Sequence, residues 1–140
     1  MKKGANKVLI AEDSILQAET LELMLNDLGI TDISKAINGL SAMEYFEQAL
    51  ISEAPYTLVF LDIIMPEMDG QETLRRMRAM EKIKGVSEAR KSLIIMTTAL
   101  SSPTDMMDAL LEGDSNDYIV KPVEEEHLQA MLAKYKFINI

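Results

Sequence analysis

The 140-residue chain contains no cysteine, which excludes disulfides and thiol chemistry. This absence fits a reducing compartment, and we expect the protein to be cytoplasmic. The chain also has only four prolines and six glycines, with 48% hydrophobic residues, as is ordinary for a folded globular protein. A chain of this length buries a core of its own, so we expect one domain without linkers or repeats.

Positive charge is scarce as well. The chain has 14 basic residues against 23 acidic ones, for a formal net charge of −9. Because no cluster of lysine and arginine alternates with aromatic residues, direct binding to nucleic acid is disfavoured. No apolar run approaches the roughly 20 residues that cross a bilayer. The N-terminal apolar run, Val8–Ala11, is too short for the core of a signal peptide, so we expect no membrane insertion.

Short apolar runs alternate five times with longer helical patterns, which is typical of a parallel α/β sheet. The predicted strands are 8–11, 33–37, 56–61, 92–98 and 117–120. The predicted helices are 14–29, 41 to before Pro55, 71–83, 102–113 and 124–136. The polar segment 84–91 reads as a loop or a helix extension, and the last four residues are not assigned.

Several helix ends carry recognisable signals. Gly29 is a good residue to follow the end of the first helix. Ser41 and Glu44 have the spacing of a capping box, which makes Ser41 the predicted N-cap of the second helix. Ser102 followed by Pro103 predicts the start of the fourth helix.

The run 56–61, YTLVFL, is continuously apolar, as expected for a strand covered by helices on both faces. It stops at an aspartate, Asp62, and a buried carboxylate is costly unless it is paired or bound to a metal. Asp62 therefore stands out as a candidate functional residue.

Polar side chains gather at the ends of four predicted strands. They are Glu12, Asp13, Asp62, Thr97, Thr98 and Lys121. Parallel sheets bind ligands at this edge, and three carboxylates held together there repel unless a cation intervenes. An all-oxygen site suits Mg²⁺, and a metal, a lysine and a hydroxyl together can neutralise a phosphoryl group during transfer. Asp62, on the most central strand, is the natural nucleophile for forming an acyl phosphate.

These motifs, Glu12-Asp13, Asp62 within LDIIMPEMDG, Thr98-Ala99 and Lys121-Pro122, resemble the signature of the receiver domain of two-component response regulators, the family of the chemotaxis regulator. The match runs in order over nearly the whole chain. The resemblance implies a flavodoxin-like, doubly wound (βα)5 fold with strand order 2-1-3-4-5, and one receiver domain over 1–140 with its core at about 6–135. It also implies a phosphoryl group taken from a histidine kinase or a histidine phosphotransfer protein, and a downstream protein target.

The resemblance assigns roles at the acidic end of the site. It makes Asp62 the phosphoacceptor. It makes the Asp13 and Asp62 carboxylates direct ligands of Mg²⁺, or of Mn²⁺, together with the backbone carbonyl of Ile64. Glu12 acts on the metal through water.

It also assigns a switch. In such receivers the hydroxyl of Thr98 and the ammonium of Lys121 bind phosphoryl oxygens after transfer, and the aromatic ring of Tyr118 then swings inward. Side chains alternate along a strand, so Thr97 and Thr98 face opposite ways, and the following Ala99 favours Thr98.

The loops around the phosphate carry further expectations. Pro66 and Gly70 shape the loop after Asp62, and the Lys121-Pro122 bond resembles one that is usually cis in the family. The two variable positions that flank the phosphate are Ile64 and Leu100. Since neither can orient an attacking water by hydrogen bonding, we expect slow self-dephosphorylation.

Two rival functions are weighed against this one. A haloacid-dehalogenase-type phosphatase also uses a nucleophilic aspartate with Mg²⁺, but it usually needs a second carboxylate at the position of Ile64. A phosphate-independent interaction module would share the fold, although the intact acids, threonine and lysine argue against it. We therefore expect a signalling module and not an enzyme that turns over an external substrate.

Individual residues also have plainer interpretations. Asp13 alone reads as a cap of the first helix. The only histidine, His127, is interpreted as a surface residue and not a phosphodonor. Met106 and Met107 are core residues or part of a partner surface. The basic segment 82–91 is interpreted as a solvent-exposed segment outside the core, and a role in recognising a partner is left open.

Overall fold

In the computed structural model, residues 6–99 and 115–139 are described. The strands are β1 (Val8–Ala11), β2 (Ile33–Ala36), β3 (Leu58–Asp62), β4 (Leu93–Thr98) and β5 (Asp117–Val120). The helices are α1 (Ile15–Asp27), α2 (Gly39–Ile51), α3 (Gly70–Ile83) and α4 (Glu125–Lys134), with a 3-10 turn at Glu88–Arg90. The helix predicted over 102–113, with Met106 and Met107, lies outside the described residues, as does Leu100.

The five strands form one parallel sheet in the order β2-β1-β3-β4-β5, which confirms the expected topology. Strand order reverses between β1 and β3, so the carboxyl ends of these two strands border the crevice where such sheets bind ligands. Ala11 pairs with Leu61 and Asp62 pairs with Thr97, which brings the ends of β1, β3 and β4 to one edge.

Alternation along the strands divides the core into two hydrophobic clusters. Val59 and Leu61 of β3 belong to the cluster that contains Phe46 of α2 and residues of α3. Leu58 and Phe60 belong to the cluster formed with α1 and α4. Both faces of β3 are therefore buried, which explains its uninterrupted apolar sequence. Burial of each large apolar side chain contributes about 1.5–3 kcal/mol to the stability of the fold.

The C-terminal residues that carried no sequence signal have a place in this core. Phe137 and Ile138 are partly buried and pack against the cluster shared by α1 and α4. His127 is exposed, which confirms its interpretation as a surface residue. Within residues 6–99 and 115–139, each helix is too short or too polar to span a bilayer.

One prediction about local structure was wrong. The N-cap of α2 is Asn38 and not Ser41, because Asn38 Oδ1 accepts the Ser41 N–H at 2.7 Å while Ser41 Oγ faces the Asn38 N–H at 3.4 Å. Asparagine caps as well as serine, so the helix begins earlier. The alternative interpretation of Asp13 as a helix cap does not hold, since the N-cap of α1 is Ser14, whose Oγ accepts the Gln17 N–H at 3.2 Å. Asp13 is therefore not needed as a cap.

The segment after α3 is not an extension of that helix. Gly85 has φ +70°, a left-handed conformation that glycine adopts without strain, and it directs the chain out of the helix. The following residues form the short 3-10 turn before β4.

Candidate functional site

Three carboxylates meet at the carboxyl edge of the sheet. Glu12, Asp13 and Asp62 each offer an oxygen, and these oxygens all lie within 4.8 Å of one another. Glu12 and Asp62 are buried, 5% and 4% exposed, whereas Asp13 is open to solvent. The parallel pairing of β1 with β3 places these acids side by side, as the sequence predicted.

Lys121 lies between the two buried acids. Its Nζ donates to Glu12 Oε1 at 2.6 Å and to Asp62 Oδ2 at 2.9 Å. These partners are 109 and 59 residues away along the chain. The backbone N–H of Lys121 donates to the Thr98 carbonyl at 2.7 Å, so the pairing of β5 with β4 brings the lysine to this edge.

The charges at this site perturb one another. Burial raises the pKa of Glu12, and the hydrogen bonds from Lys121 and the Ser14 N–H oppose this rise only in part. Burial disfavours the ammonium of Lys121, but the hydrogen bonds to Glu12 and Asp62 outweigh it and raise the pKa of Lys121. The ammonium is therefore firmly held in its charged form.

The carboxylate oxygens and the net charge of the site indicate what it can bind. Both oxygens of Glu12 are engaged, since Oε2 accepts the Ser14 N–H at 3.1 Å. Asp62 Oδ1 accepts the Ile64 N–H at 3.2 Å. Three carboxylates and one ammonium leave a local charge of −2, and hard oxygen donors with that charge fit a divalent cation of the Mg²⁺ type.

The two threonines lie at the end of β4, between the strands that carry Asp62 and Lys121. Both are buried, and Thr98 is fully so. The Thr97 carbonyl accepts the Ile63 N–H at 3.0 Å, on the side of β3. The Thr98 carbonyl accepts the Lys121 N–H, on the side of β5. The backbone of β4 thus spans the distance between the acid and the lysine.

Tyr118 and Ile64 flank this arrangement. Tyr118 is partly buried on β5, where it pairs in register with Met96 and packs against the cluster of α2 and α3. Ile64 is 60% exposed and follows Asp62 by two residues. An apolar side chain is therefore open to solvent beside the buried carboxylate.

The loop after β3 approaches the backbone of Asp62 very closely. A Cβ atom on Gly70 would lie 2.1 Å from the Asp62 carbonyl oxygen, so only glycine fits at this position. The Gly70 N–H donates to the Ile63 carbonyl at 2.8 Å, and Asp69 caps α3 through the Glu72 N–H at 2.9 Å. Pro66 is exposed in the same loop.

On the other side of the site, the Lys121-Pro122 peptide bond is cis, as the resemblance implied. What sequence reasoning missed is the direct ion pair between Glu12 and Lys121. No local pattern could have revealed it, because the contact depends on four strands being in register.

Comparison with known proteins agrees with this geometry. Residues 8–133 match the family model of the response regulator receiver domain. The chain belongs to the response regulator receiver domain family. It is 33% identical over 137 residues to the two-component response regulator ORR41 of Oryza sativa subsp. japonica, covering 97% of this chain and 98% of that protein.

Solved receiver structures share the fold. A co-crystal structure of the Saccharomyces cerevisiae histidine phosphotransfer protein Ypd1 with the receiver domain of Ssk1 matches with a TM-score of 0.78 and 29% identity, covering 96% of this chain and 91% of that one. The CheX-CheY-BeF3-Mg²⁺ complex of Borrelia burgdorferi matches with a TM-score of 0.77 and 27% identity, covering 93% and 89%.

The chain spans only 5–13% of the length of several histidine kinases that it also matches. The receiver domain therefore occurs both in proteins of this size and as a small part of much longer ones. Receiver domains are signalling modules of two-component systems.

Proposed function

We propose that Asp62 accepts a phosphoryl group from a histidine kinase or a histidine phosphotransfer protein, and that the phosphorylated form presents a changed surface to a downstream protein. The observation that carries this proposal is the contact of Asp62 Oδ2 with Lys121 Nζ at 2.9 Å, beside two further carboxylates. The carboxylate is buried, positioned and partnered by a cation.

In the proposed step, a carboxylate oxygen of Asp62 attacks the phosphorus of a phosphohistidine. The P–N bond breaks, its electron pair leaves with the imidazole, and an acyl phosphate forms on Asp62. The ammonium of Lys121 offsets negative charge on the phosphoryl oxygens, and electrostatic stabilisation of this kind is usually the largest single contribution to catalysis. The Thr98 hydroxyl is the proposed second donor to those oxygens.

The carboxylates of Asp13 and Asp62 and the carbonyl of Ile64 are the proposed ligands of Mg²⁺, or of Mn²⁺. When bound, the cation supplies further neutralisation of phosphoryl charge. Glu12 acts through water in this proposal.

We propose that Tyr118 couples phosphorylation to the surface formed by the helix predicted over 102–113, by β5 and by α4, moving inward as Thr98 is drawn to the phosphate. Its partly buried position on β5, three residues before Lys121, supports this role. A beryllofluoride adduct that left the amide shifts of residues 100–135 unchanged would contradict the switch.

Mass spectrometry after incubation with acetyl phosphate and Mg²⁺ tests the phosphoacceptor. The wild type should gain one phosphoryl group and Asp62→Asn should gain none. Asp69→Asn is the matched control, since asparagine keeps the cap of α3 and the wild-type adduct should survive. A wild type without a stable adduct would favour the phosphate-independent module, and an adduct on Asp62→Asn would place the acceptor elsewhere.

We infer that the domain does not turn over an external substrate. A phosphatase of the haloacid-dehalogenase type needs an acid or base two residues after its nucleophile, and Ile64 is apolar there. Release of phosphate from p-nitrophenyl phosphate by the wild type, abolished in Asp62→Asn, would reverse this inference. The proposed location is cytoplasmic, with no direct contact to nucleic acid.

A further inference from the structure

A set of hydrogen bonds joins α3, β4 and the start of β5, at the end of the sheet opposite to the acidic site. Asn116, the residue before β5, is its centre. The Asn116 N–H donates to the Ile94 carbonyl at 2.9 Å, and Asn116 Oδ1 accepts the Ile94 N–H at 2.8 Å. The asparagine therefore pairs with Ile94 through both its backbone and its side chain, one step before the first pair of the ladder, Ile95 with Asp117.

The same Oδ1 atom is also bound from α3. Arg78 Nη2 donates to it at 2.9 Å, while Arg78 Nη1 donates to the Ser92 carbonyl at 3.0 Å and to Glu81 Oε1 at 2.8 Å. The side chains of Arg78 and Glu81 are 12% and 1% exposed, and Glu81 Oε2 accepts the Ser92 N–H at 2.9 Å. A partly buried ion pair with this many partners holds the guanidinium in one position.

Among the described residues, the strand that follows pairs with a neighbouring strand on one side only. β5 is four residues long, lies at the edge of the sheet and has β4 as its strand partner. A slip of one residue in register would turn every β5 side chain to the opposite face. Lys121 follows β5 directly, so its approach to Asp62 depends on that register.

We propose that Asn116, held by Arg78, is a positioning residue that fixes the register of β5 and thereby places Lys121 beside Asp62. Asn116 is far from the carboxylates and acts through the strand, without touching the reacting atoms. The consequence for phosphoryl transfer rests on the function proposed for Lys121, whereas the consequence for register does not.

Amide hydrogen exchange tests how firmly this pairing is held, because the Lys121 N–H donates to the Thr98 carbonyl of β4. In Asn116→Leu, the Lys121 N–H should exchange about five to ten times faster, because two hydrogen bonds at the start of the strand are lost. The Ile63 N–H is the internal control, since it donates to β4 from the other side and should be unaffected. Asn26→Leu, at an exposed asparagine of α1, controls for the substitution itself.

Asn116→Asp is the conservative rescue. The hydrogen bonds from Ile94 and Arg78 need only an acceptor oxygen, which aspartate keeps, so exchange at Lys121 should return to the wild-type rate. Arg78→Lys is a second variant that leaves a cation for buried Glu81 but loses the reach to Asn116. It should accelerate exchange at Lys121 in the same direction as Asn116→Leu.

The maximal rate of phosphorylation by acetyl phosphate should fall about five- to tenfold in Asn116→Leu and recover in Asn116→Asp. Unchanged exchange at Lys121, or equal acceleration at Ile63, would overturn the proposal. Faster exchange at Lys121 with an unchanged phosphorylation rate would overturn it as well. A wild type that takes up no phosphate would refute the proposed function, and the exchange experiment would still decide whether Asn116 fixes the register.

Discussion

At the scale of single residues, the position of Asp62 depends on a neighbour with no side chain. The backbone of α3 begins against the Asp62 carbonyl, and the space for a Cβ on Gly70 is occupied by that oxygen. Gly70 does not have a positive φ, so steric contact and not backbone conformation is the reason for glycine here.

We predict that Gly70→Ala lowers the free energy of unfolding by about 3 kcal/mol, because a backbone contact of this kind cannot relax without moving β3 or α3. Urea denaturation measures the change. Gly29→Ala is the control, since Gly29 has φ +90° with open space around it and should cost about 1 kcal/mol from conformation alone. Equal losses in the two variants would contradict the steric explanation.

The family resemblance implies two variable positions next to the phosphate, Ile64 and Leu100, and we expect them to set how long a phosphoryl group survives. Ile64 is apolar and exposed, and Leu100, outside the described residues, is also apolar. We predict that Ile64→Asn combined with Leu100→Glu shortens the lifetime of the phosphorylated form about tenfold, because polar groups can orient an attacking water. Loss of acid-labile phosphate with time measures the lifetime. A lifetime that does not shorten would count against the prediction.

At the scale of secondary structure, the start of α2 distinguishes two neighbouring cap candidates. Asn38 accepts a short hydrogen bond from Ser41, whereas the reciprocal bond is long at 3.4 Å. We predict that Asn38→Ala costs about 1 kcal/mol in the free energy of unfolding and that Ser41→Ala costs less than about 0.5 kcal/mol. Urea denaturation of both variants provides the comparison. The reverse order would mean that Ser41 is the cap after all.

The junction of β5 with the end of α4 contains an acid whose ionisation stabilises the fold. Burial by itself would raise the pKa of Asp117, but hydrogen bonds from the Tyr135 hydroxyl, the Tyr118 N–H and Lys134 Nζ outweigh it. The pKa of Asp117 is therefore lowered from its ordinary value of 3.8. A lowered carboxyl pKa gives stability that is present above the unfolded-state pKa and is lost as pH falls through the folded-state pKa.

We predict that the free energy of unfolding of the wild type falls below pH 3.8 more steeply than that of Asp117→Asn. Urea denaturation over a series of acidic pH values measures both slopes. Tyr135→Phe removes one of the donors and should give an intermediate slope. Parallel curves for the wild type and Asp117→Asn would show that this carboxyl does not contribute.

At the scale of the whole molecule, part of the negative charge lies at the carboxyl edge of the sheet. The chain carries −9 in total, and the group of Glu12, Asp13, Asp62 and Lys121 carries −2 at one edge of the sheet. A bound divalent cation relieves this repulsion in the folded state only, because the unfolded chain does not hold the three acids together.

We predict that Mg²⁺ at ten times its dissociation constant raises the free energy of unfolding by about 1.4 kcal/mol. Thermal or urea unfolding with and without the ion measures the effect. NaCl at the same ionic strength controls for general screening. Asp13→Asn should reduce the stabilisation, and an equal effect of Mg²⁺ on this variant would exclude Asp13 as a ligand.

Local sequence patterns predict most of the secondary structure of this protein and the positions of its acidic residues. Apolar runs predict the five strands and the acids that follow them. Helical spacing and the residues that start and stop helices predict the helices within the described residues. These signals act over a few residues. The order of the sheet followed from the family resemblance carried by Asp62, Lys121 and their neighbouring motifs. The N-cap of α2 was harder to predict from the sequence, because Asn38 and Ser41 are both suitable N-cap residues and lie three positions apart.

The tertiary structure alone decided which of these groups touch. The contacts of Lys121 with Glu12 and Asp62 join residues 109 and 59 positions apart, and they exist only when β1, β3, β4 and β5 are in register. The same holds for the double pairing of Asn116 with Ile94 and for the packing of Phe137. Local sequence determines the elements, whereas distances between side chains from different strands depend on how the whole sheet pairs.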